Sequence, residues 1–169
     1  MLVTKKLKVS EIVNMWATIY KLQNEKREFS TKFTYALVLV KGNIEHEIKA
    51  IEEIRKPSER FVEYDRKRLS LAHELSEKDE NGNSKIVRSQ QGQEDIVILS
   101  KKDEFNKRLN KLTKEYDFDI QEQMKKNDTV DSILNENRDI DLYTISIDDF
   151  PPTCSINDLE SLKYLIEIK

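Results

Sequence analysis

The sequence has 169 residues, of which 37% are hydrophobic and 36% are charged. A chain of this length forms one domain, or one domain with an appendage, and this composition allows only a thin core. It contains three glycines, three prolines and one cysteine, which excludes a loop-rich barrel, an internal disulfide and a multi-cysteine metal site.

The net charge of −3 hides an uneven distribution of charged side chains. Residues 127–169 carry three basic and ten acidic side chains, whereas residues 1–126 carry 26 and 22. The acidic C-terminal segment repels nucleic acid, and it either docks on a basic surface or keeps the protein in solution. No apolar signal region or membrane-length apolar run occurs, so we expect an intracellular protein with no membrane partner.

The first predicted helix begins after Ser10, which is a favourable N-cap residue, and ends near residues 26–28. Its apolar side chains recur at helical spacing, which indicates one buried face. These side chains are Ile12, Met15, Trp16, Ile19 and Leu22.

A nearly continuous helical pattern then runs from about Ser30 to Ser76. Apolar residues at steps of three and four form one stripe along its first half. They are Phe33, Leu37, Val40, Ile44, Ile48 and Ile51. Pro57 removes a backbone hydrogen bond, so we expect a kink or short break between Arg55 and Ser58. The short link to the first helix predicts a long antiparallel helical hairpin over residues 1–77, with Gly42 as a point of close backbone approach.

Turn residues and short apolar runs follow in residues 78–126. Asn81-Gly82 predicts a tight turn, and residues 86–87 and 96–99 are candidate strands. Ser100 with Asp103 resembles a capping pair that opens a third helix. The alternation of Tyr116, Phe118 and Ile120 with polar residues predicts a half-buried strand.

The acidic segment, residues 127–169, is predicted to form a third part that contains both helix and strand. It contains a short helix over residues 129–134, a β-rich stretch over residues 140–147 and a final helix capped by Ser155 or Asn157. The predicted fold class is therefore α+β and mostly helical, with a long helical hairpin followed by a small mixed α/β portion. The predicted segments are 1–77, 78–126 and 127–169.

Metal-binding motifs begin in this sequence but are not completed. His46 and His73 are each followed by Glu, but neither has the second His four residues later that a zinc site on a helix requires. Residues 77–82 resemble the start of a calcium loop, but the twelfth position, which must be a bidentate Glu, is Arg88. Three scattered glycines exclude a phosphate-binding loop and a dinucleotide fingerprint. We predict no metal and no cofactor.

Other catalytic groups are weakly indicated. The paired acidic residues at 139/141 and 148/149 could serve acid–base chemistry or hold magnesium, but 32 acidic residues produce such neighbours by chance. Cys154 has no nearby basic side chain to lower the pKa of its thiol. We predict that the protein is not an enzyme.

Two groups of basic residues offer a nucleic-acid alternative. The first lies on or near the third helix, where several members could share one face and contact phosphates. It comprises Lys101, Lys102, Lys107, Arg108, Lys111 and Lys114. The second is a basic N-terminal arm made of Lys5, Lys6 and Lys8.

The preferred hypothesis is binding to a protein partner, because the long helix carries more apolar surface than a small monomer can bury. Phe61, Tyr64 and Leu69 follow the predicted break and are the candidate apolar anchors. The alternative for these three residues is burial against the protein's own α+β portion. The partner would be a second copy, a virion protein or a host protein.

A resemblance to a phage family rests on four stretches of the sequence. They are residues 50–55, residues 63–64, the EKDENGN turn at residues 77–83 and the DEFN segment at residues 103–106. Over residues 30–120 the chain resembles small uncharacterised proteins of tailed bacteriophages, with a long charged helix, this turn, a strand and a helix. The resemblance implies a viral or prophage origin. It assigns no catalytic residues. Together with the missing signal region, this origin leads us to expect a location in the host cytoplasm or the virion, without secretion.

Overall fold

A computed structural model describes residues 1–25, 28–88 and 95–167. Within these residues the chain is mostly helical with two small antiparallel sheets, which confirms the predicted α+β class. The helices are α1 Val9–Asn24, α2 Thr31–Arg55, α3 Glu59–Glu74, α4 Lys102–Glu115, α5 Asp117–Leu134 and α6 Ile156–Leu162. The strands are β1 Leu2–Lys8, β2 Ile86–Arg88, β3 Asp95–Val97 and β4 Asn137–Tyr143.

The chain divides into two compact units, one formed by Met1–Arg55 with Asn127–Lys169 and the other by Lys56–Lys126. These boundaries differ from the predicted segments 1–77, 78–126 and 127–169. The physical reason is that β1 pairs with β4 over its full length, from Leu2 opposite Tyr143 to Lys8 opposite Asn137. We call the two parts the first unit and the second unit.

The core of the first unit confirms the apolar stripes predicted for the first two helices. Ile12, Met15, Ile19 and Leu22 of α1 are buried, whereas Trp16 is half-buried and packs against the same core. The whole predicted stripe of α2, from Phe33 to Ile51, is buried as well. Apolar side chains of β4 and of the final helical segment complete this core, among them Ile140, Leu142, Leu162 and Leu165.

The strand β1 was not predicted, and it corrects the start of the first helix. The basic arm of Lys5, Lys6 and Lys8 is part of this strand, and Lys8, not Ser10, is the N-cap residue of α1. Glu11 accepts a hydrogen bond from the Lys8 backbone N–H at 2.9 Å, which caps the first turn. Leu7 is buried, so the strand contributes directly to the core.

The prediction of a strand at Tyr116, Phe118 and Ile120 is wrong. These residues span the end of α4 and the start of α5, and the predicted short helix at residues 129–134 is the last part of α5. Phe118 is 78% exposed, so the alternation in the sequence does not mark a buried face. The buried side chains in this stretch, Tyr116, Asp119, Gln123 and Val130, recur at helical steps instead.

The shorter predicted elements are largely confirmed. The strands β2 and β3 pair antiparallel, with Ile86 opposite Val97. Ser155 caps α6 through a hydrogen bond that its hydroxyl accepts from the Asp158 N–H. Ser100 does not cap α4, whose N-cap residue is Lys101. Residues 89–94, a polar stretch between the two candidate strands, lie outside the described residues.

Gly42 does not mark a close backbone approach, because no atom lies within 4 Å of the position that its Cβ would occupy. It lies inside α2. We expect Gly42→Ala to raise the free energy of unfolding by about 0.5–1 kcal/mol, since glycine is the more flexible residue in the unfolded chain. Urea unfolding measures this change.

Gly82 is the matched control for the Gly42 substitution. Its surroundings are equally open, but its φ is +80°, which L side chains rarely adopt. Gly82→Ala should therefore lower stability by about 1 kcal/mol. Destabilisation by both substitutions would contradict the environment assigned to Gly42.

Candidate interaction site

The helix α3 begins after the break that the sequence predicts. α2 ends at Arg55 and α3 begins at Glu59, so Pro57 lies in the connection. The hydroxyl of Ser58 accepts a hydrogen bond from the Phe61 N–H at 3.1 Å and caps the new helix. The break places α3 in the second unit, whereas α2 belongs to the first.

Two of the three predicted anchors contact aromatic side chains of their own chain. The ring of Tyr64 lies 5.9 Å from that of Phe61 and 5.8 Å from that of Tyr116, measured between centroids. Phe61 and Tyr64 are half-buried, and Tyr116 is buried. Phe61 and Tyr64 therefore take part in packing within the second unit.

Charged side chains surround Tyr116. Arg60 donates a hydrogen bond to Asp119 at 3.1 Å, and its guanidinium lies 5.2 Å from the centre of the Tyr116 ring. The Lys67 ammonium donates to the Tyr116 hydroxyl at 2.7 Å. These bonds raise the pKa of the Arg60 guanidinium and of the Lys67 ammonium above their ordinary values. We call Arg60, Tyr64, Lys67, Tyr116 and Asp119 the Tyr116 cluster.

The third predicted anchor, Leu69, is exposed together with Val62. Their exposed fractions are 45% and 52%. The two residues are seven positions apart on α3, so they lie on the same face, two helical turns apart. We call this pair the apolar strip. Elsewhere in the second unit, Phe118 and Met124 of α5 are 78% and 54% exposed.

The second unit has a small buried core. Of the side chains that the structure describes in Lys56–Lys126, only Leu71, Leu75 and Tyr116 are buried apolar residues. The first unit buries twenty apolar side chains in its described residues. The sequence analysis placed Tyr116 on the buried side of a strand, whereas its spacing to Leu109 and Leu112 of the same apolar face is helical.

The predicted nucleic-acid residues lie on or beside α4, and all six are exposed. Arg108 forms a bidentate pair with Glu74 at 2.6 and 3.0 Å, and Lys101 lies 3.7 Å from Glu104. Lys107, Lys111 and Lys114 follow at steps of four and three and share one face of the helix. Lys102 lies on a different face. Asp103, Glu104 and Glu115 interleave with this basic group along α4.

A cavity of about 460 Å³ lies between α3 and α4. Its lining includes Lys67, Leu71, Glu74, Arg108 and Lys111. Because Arg108 and Glu74 bind each other, the pKa of Arg108 is raised and that of Glu74 is lowered. These shifts hold both groups in their charged forms, which stabilises an ion pair and does not favour proton transfer near neutral pH.

A second cavity, of about 450 Å³, lies in the first unit beside α1 and α6. The Tyr164 hydroxyl donates a hydrogen bond to Glu11 at 2.5 Å. This bond is the main cause that lowers the pKa of Glu11, and with burial it raises the pKa of Tyr164 to about 12. The shifts move both groups away from neutral pH, so the pair tethers the C-terminal segment to α1 instead of providing an acid and a base.

Tyr164→Phe should make the acid side of the stability profile less steep. Because the pKa of Glu11 is lower in the folded state, the pair stabilises the fold above the ordinary pKa of 4.5, and this contribution is lost as the pH falls through the folded value. Because the pKa of Tyr164 is raised, the contribution is complete below pH 10.0 and is lost as the pH rises through about 12. Urea unfolding of both proteins at several pH values measures the difference, which should be largest at neutral pH. The same difference at acidic and neutral pH would contradict this assignment.

The structure also describes the other side chains that the sequence indicated as candidates for chemistry. Asp79 accepts hydrogen bonds from the backbone N–H groups of Asn81 and Asn83 at 2.9 and 2.8 Å, which stabilise the turn predicted at Asn81-Gly82. Cys154 is half-buried. Within residues 1–25, 28–88 and 95–167, no group of three or more His, Cys, Asp or Glu side chains is arranged to hold a metal ion.

Comparison of the chain with known protein families, with curated proteins and with solved structures finds no match. No helix in the described part of the chain is both long enough and apolar enough to cross a membrane.

Proposed function

We propose that this chain is a non-enzymatic protein that acts by binding another protein through the second unit. The observation that carries this proposal is the contrast between three buried apolar side chains in the described part of that unit and the exposure of Val62, Leu69, Phe118 and Met124. Units of this size have small cores and are often only marginally stable, so an additional device can add much of their stability.

The usual additional devices are disulfides, structural metals and association with another chain. The only cysteine, Cys154, lies outside the second unit, and the described residues form no metal-binding group. The exposed apolar side chains of the second unit favour association with another chain as the source of additional stability. The occupant of the apolar strip is a second copy, a virion protein or a host protein.

Residues 30–120 resemble proteins of tailed bacteriophages, and we propose that the protein has this origin. The protein would act in the host cytoplasm or in the virion, as an assembly component or as an accessory factor. The antiparallel helical hairpin that the sequence predicts for residues 1–77 remains part of the proposal, with α1 and α2 as its arms. The acidic residues of 127–169 are a second candidate surface.

The double variant Val62→Ser/Leu69→Ser tests the apolar strip. Because both side chains are about half exposed, we expect each substitution to change stability by no more than about 0.5 kcal/mol. Self-association in sedimentation, or co-purification of a specific protein from infected-cell lysate, should be lost. Far-ultraviolet circular dichroism checks that the helices are retained.

Ile156→Ser is the matched control, because Ile156 is 82% exposed and lies in the first unit. This variant should associate as the unchanged protein does. A protein that is strictly monomeric and captures no partner would contradict the proposal. If the double variant associates as strongly as the unchanged protein, the apolar strip is not the binding surface.

A nucleic-acid-binding regulator is the second candidate function, because Lys107, Lys111 and Lys114 share one exposed face of α4. Retention on a DNA column at low salt, and its loss as the salt concentration rises, would support this function. No retention at low salt would remove it.

A further inference from the structure

The strand β1 has one edge that is paired and one that is open. Met1 and Thr144 exchange two backbone hydrogen bonds of 2.7 Å at one end of the β1–β4 ladder. At the other end, the Val9 N–H donates to the Glu136 carbonyl at 2.9 Å. Antiparallel pairs alternate between bonded and non-bonded, so residues 3, 5 and 7 also face β4.

The same alternation directs the backbone groups of Leu2, Thr4 and Lys6 away from β4. No backbone group in the described part of the chain bonds to them. The Lys8 N–H, which follows in this series, is satisfied by Glu11. Three successive outward-facing residues therefore present unpaired N–H and C=O groups in the spacing that another strand requires.

The far edge of β4 and its continuation are partly occupied by other residues of the first unit. The side-chain amide of Asn43 donates to the Asp141 carbonyl at 2.7 Å. Ile145 bonds to the Leu165 carbonyl and to the Glu167 N–H, each at 2.8 Å. These bonds occupy part of the β4 edge, whereas no backbone group in the described residues bonds to Leu2, Thr4 or Lys6 of β1.

The charges of β1 define the chemistry that its open edge accepts. The strand has the sequence LVTKKLK, with three lysines and no acidic residue. Its present neighbour is acidic: Lys6 lies opposite Asp139, and the Thr4 hydroxyl donates to Asp141 at 2.5 Å. Lys6 and Lys8 are exposed on the outer face of the sheet and available to a second neighbour.

A second copy of β1 is a poor occupant of this edge. Antiparallel pairing of two such strands would place six lysines in one ribbon, and like charges on facing strands destabilise a pair. An acidic strand would make the same main-chain hydrogen bonds and gain favourable cross-strand charge pairs.

We infer that the open edge of β1 binds an extended segment of a partner protein, with acidic side chains two residues apart that face Lys6 and Lys8. The segment adds a third strand to the β1–β4 sheet. Main-chain hydrogen bonds to Leu2, Thr4 and Lys6 supply the affinity, and the lysines select acidic partners. This surface lies on different residues from the apolar strip, so neither proposal depends on the other.

The test uses a synthetic peptide with the β4 sequence NRDIDLY and a control peptide in which both aspartates are replaced by lysine. The acidic peptide should bind and slow hydrogen exchange at the amides of Leu2, Thr4 and Lys6, and the control peptide should not. Equal binding of the two peptides would overturn the inference. Binding without slower exchange at these three amides would also overturn it, because the peptide would then occupy another site or replace β4.

The substitution Thr4→Pro blocks the open edge selectively. It removes an N–H that points away from β4, so the intrachain ladder is retained, and binding should weaken at least about tenfold. Thr4→Val is the matched control, because it loses the hydroxyl bond to Asp141 and keeps the N–H; it should bind as the unchanged protein does. Lys6→Gln should weaken binding and reduce its salt dependence.

Two further results would contradict the proposed occupant. Slow exchange at Leu2, Thr4 and Lys6 that appears without peptide as the protein concentration rises would identify a second copy. A single-stranded oligonucleotide that competes with the peptide and binds Thr4→Pro as tightly as the unchanged protein would assign the lysines to phosphate contacts.

Discussion

Phe33→Ala should lower the free energy of unfolding by about 3–5 kcal/mol, which is the typical effect of removing a fully buried aromatic ring. Phe33 is completely buried in α2. Its ring centre lies 5.5 Å from that of Phe29 and 5.1 Å from that of Phe150, both in edge-on geometry. The substitution therefore leaves a cavity and removes two aromatic contacts from the core of the first unit.

Urea unfolding followed by circular dichroism measures this loss. Val38→Ala is the matched control, because Val38 lies on the same helix and is 54% exposed. It should change stability by no more than about 0.5 kcal/mol. A loss of less than about 1 kcal/mol for Phe33→Ala would contradict the core assigned to the first unit.

Tyr116→Ala should have the second large effect, and this effect should be located in the second unit. Tyr116 is 2% exposed, contacts the ring of Tyr64 and lies beneath the cationic groups of Arg60 and Lys67. Because few other apolar side chains are buried there, the loss of this ring should cost about 3–5 kcal/mol and remove hydrogen-exchange protection from α3 and α4.

Tyr116→Phe separates the ring from its hydroxyl. It keeps the packing with Tyr64 and removes the hydrogen bonds of the hydroxyl with Lys67 and Glu63. We expect it to lose much less stability than Tyr116→Ala and to retain protection in α3 and α4. Equal losses for the two substitutions would mean that the hydroxyl, and not the ring, stabilises this cluster. Unchanged exchange in Tyr116→Ala would contradict the role of the cluster.

Elements whose pattern is local could be predicted from the sequence. The stripe of α2 depends on apolar spacing within one helix, and every member from Phe33 to Ile51 is buried as expected. The break after Arg55 follows from the covalent geometry of Pro57 and needs no tertiary contact. Ser155 likewise caps α6 through atoms only three residues apart.

Elements that depend on distant partners could not be predicted in this way. The strand β1 carries three lysines and becomes a strand because it pairs with β4; Thr4 and Asp141, which bond across this pair, are 137 positions apart in sequence. The alternation at Tyr116, Phe118 and Ile120 suggested a strand, but the helix places Phe118 in solvent and Tyr116 in the core.

The residues of the candidate interaction site could be predicted only in part, because their surroundings depend on residues that are distant in sequence. The sequence placed Phe61, Tyr64 and Leu69 after the break, but spacing alone could not separate inward from outward side chains. The ring of Tyr116 makes Tyr64 an internal contact, and Leu69 and Val62 remain exposed. The contacts from Arg60 to Asp119 and from Lys67 to Tyr116 join residues 59 and 49 positions apart, a distance over which a periodic pattern carries no information.

Native-state hydrogen exchange of the unmodified chain tests most directly the central claim that a partner completes the second unit. We predict that amides of α3 near Leu69 and Leu71 exchange much faster than those of α2 near Val40 and Ile44 in the isolated monomer. Protection of α3 should then increase when the partner, or a second copy at high concentration, is bound. Protection of α3 equal to that of α2 in a partner-free monomer would contradict the claim.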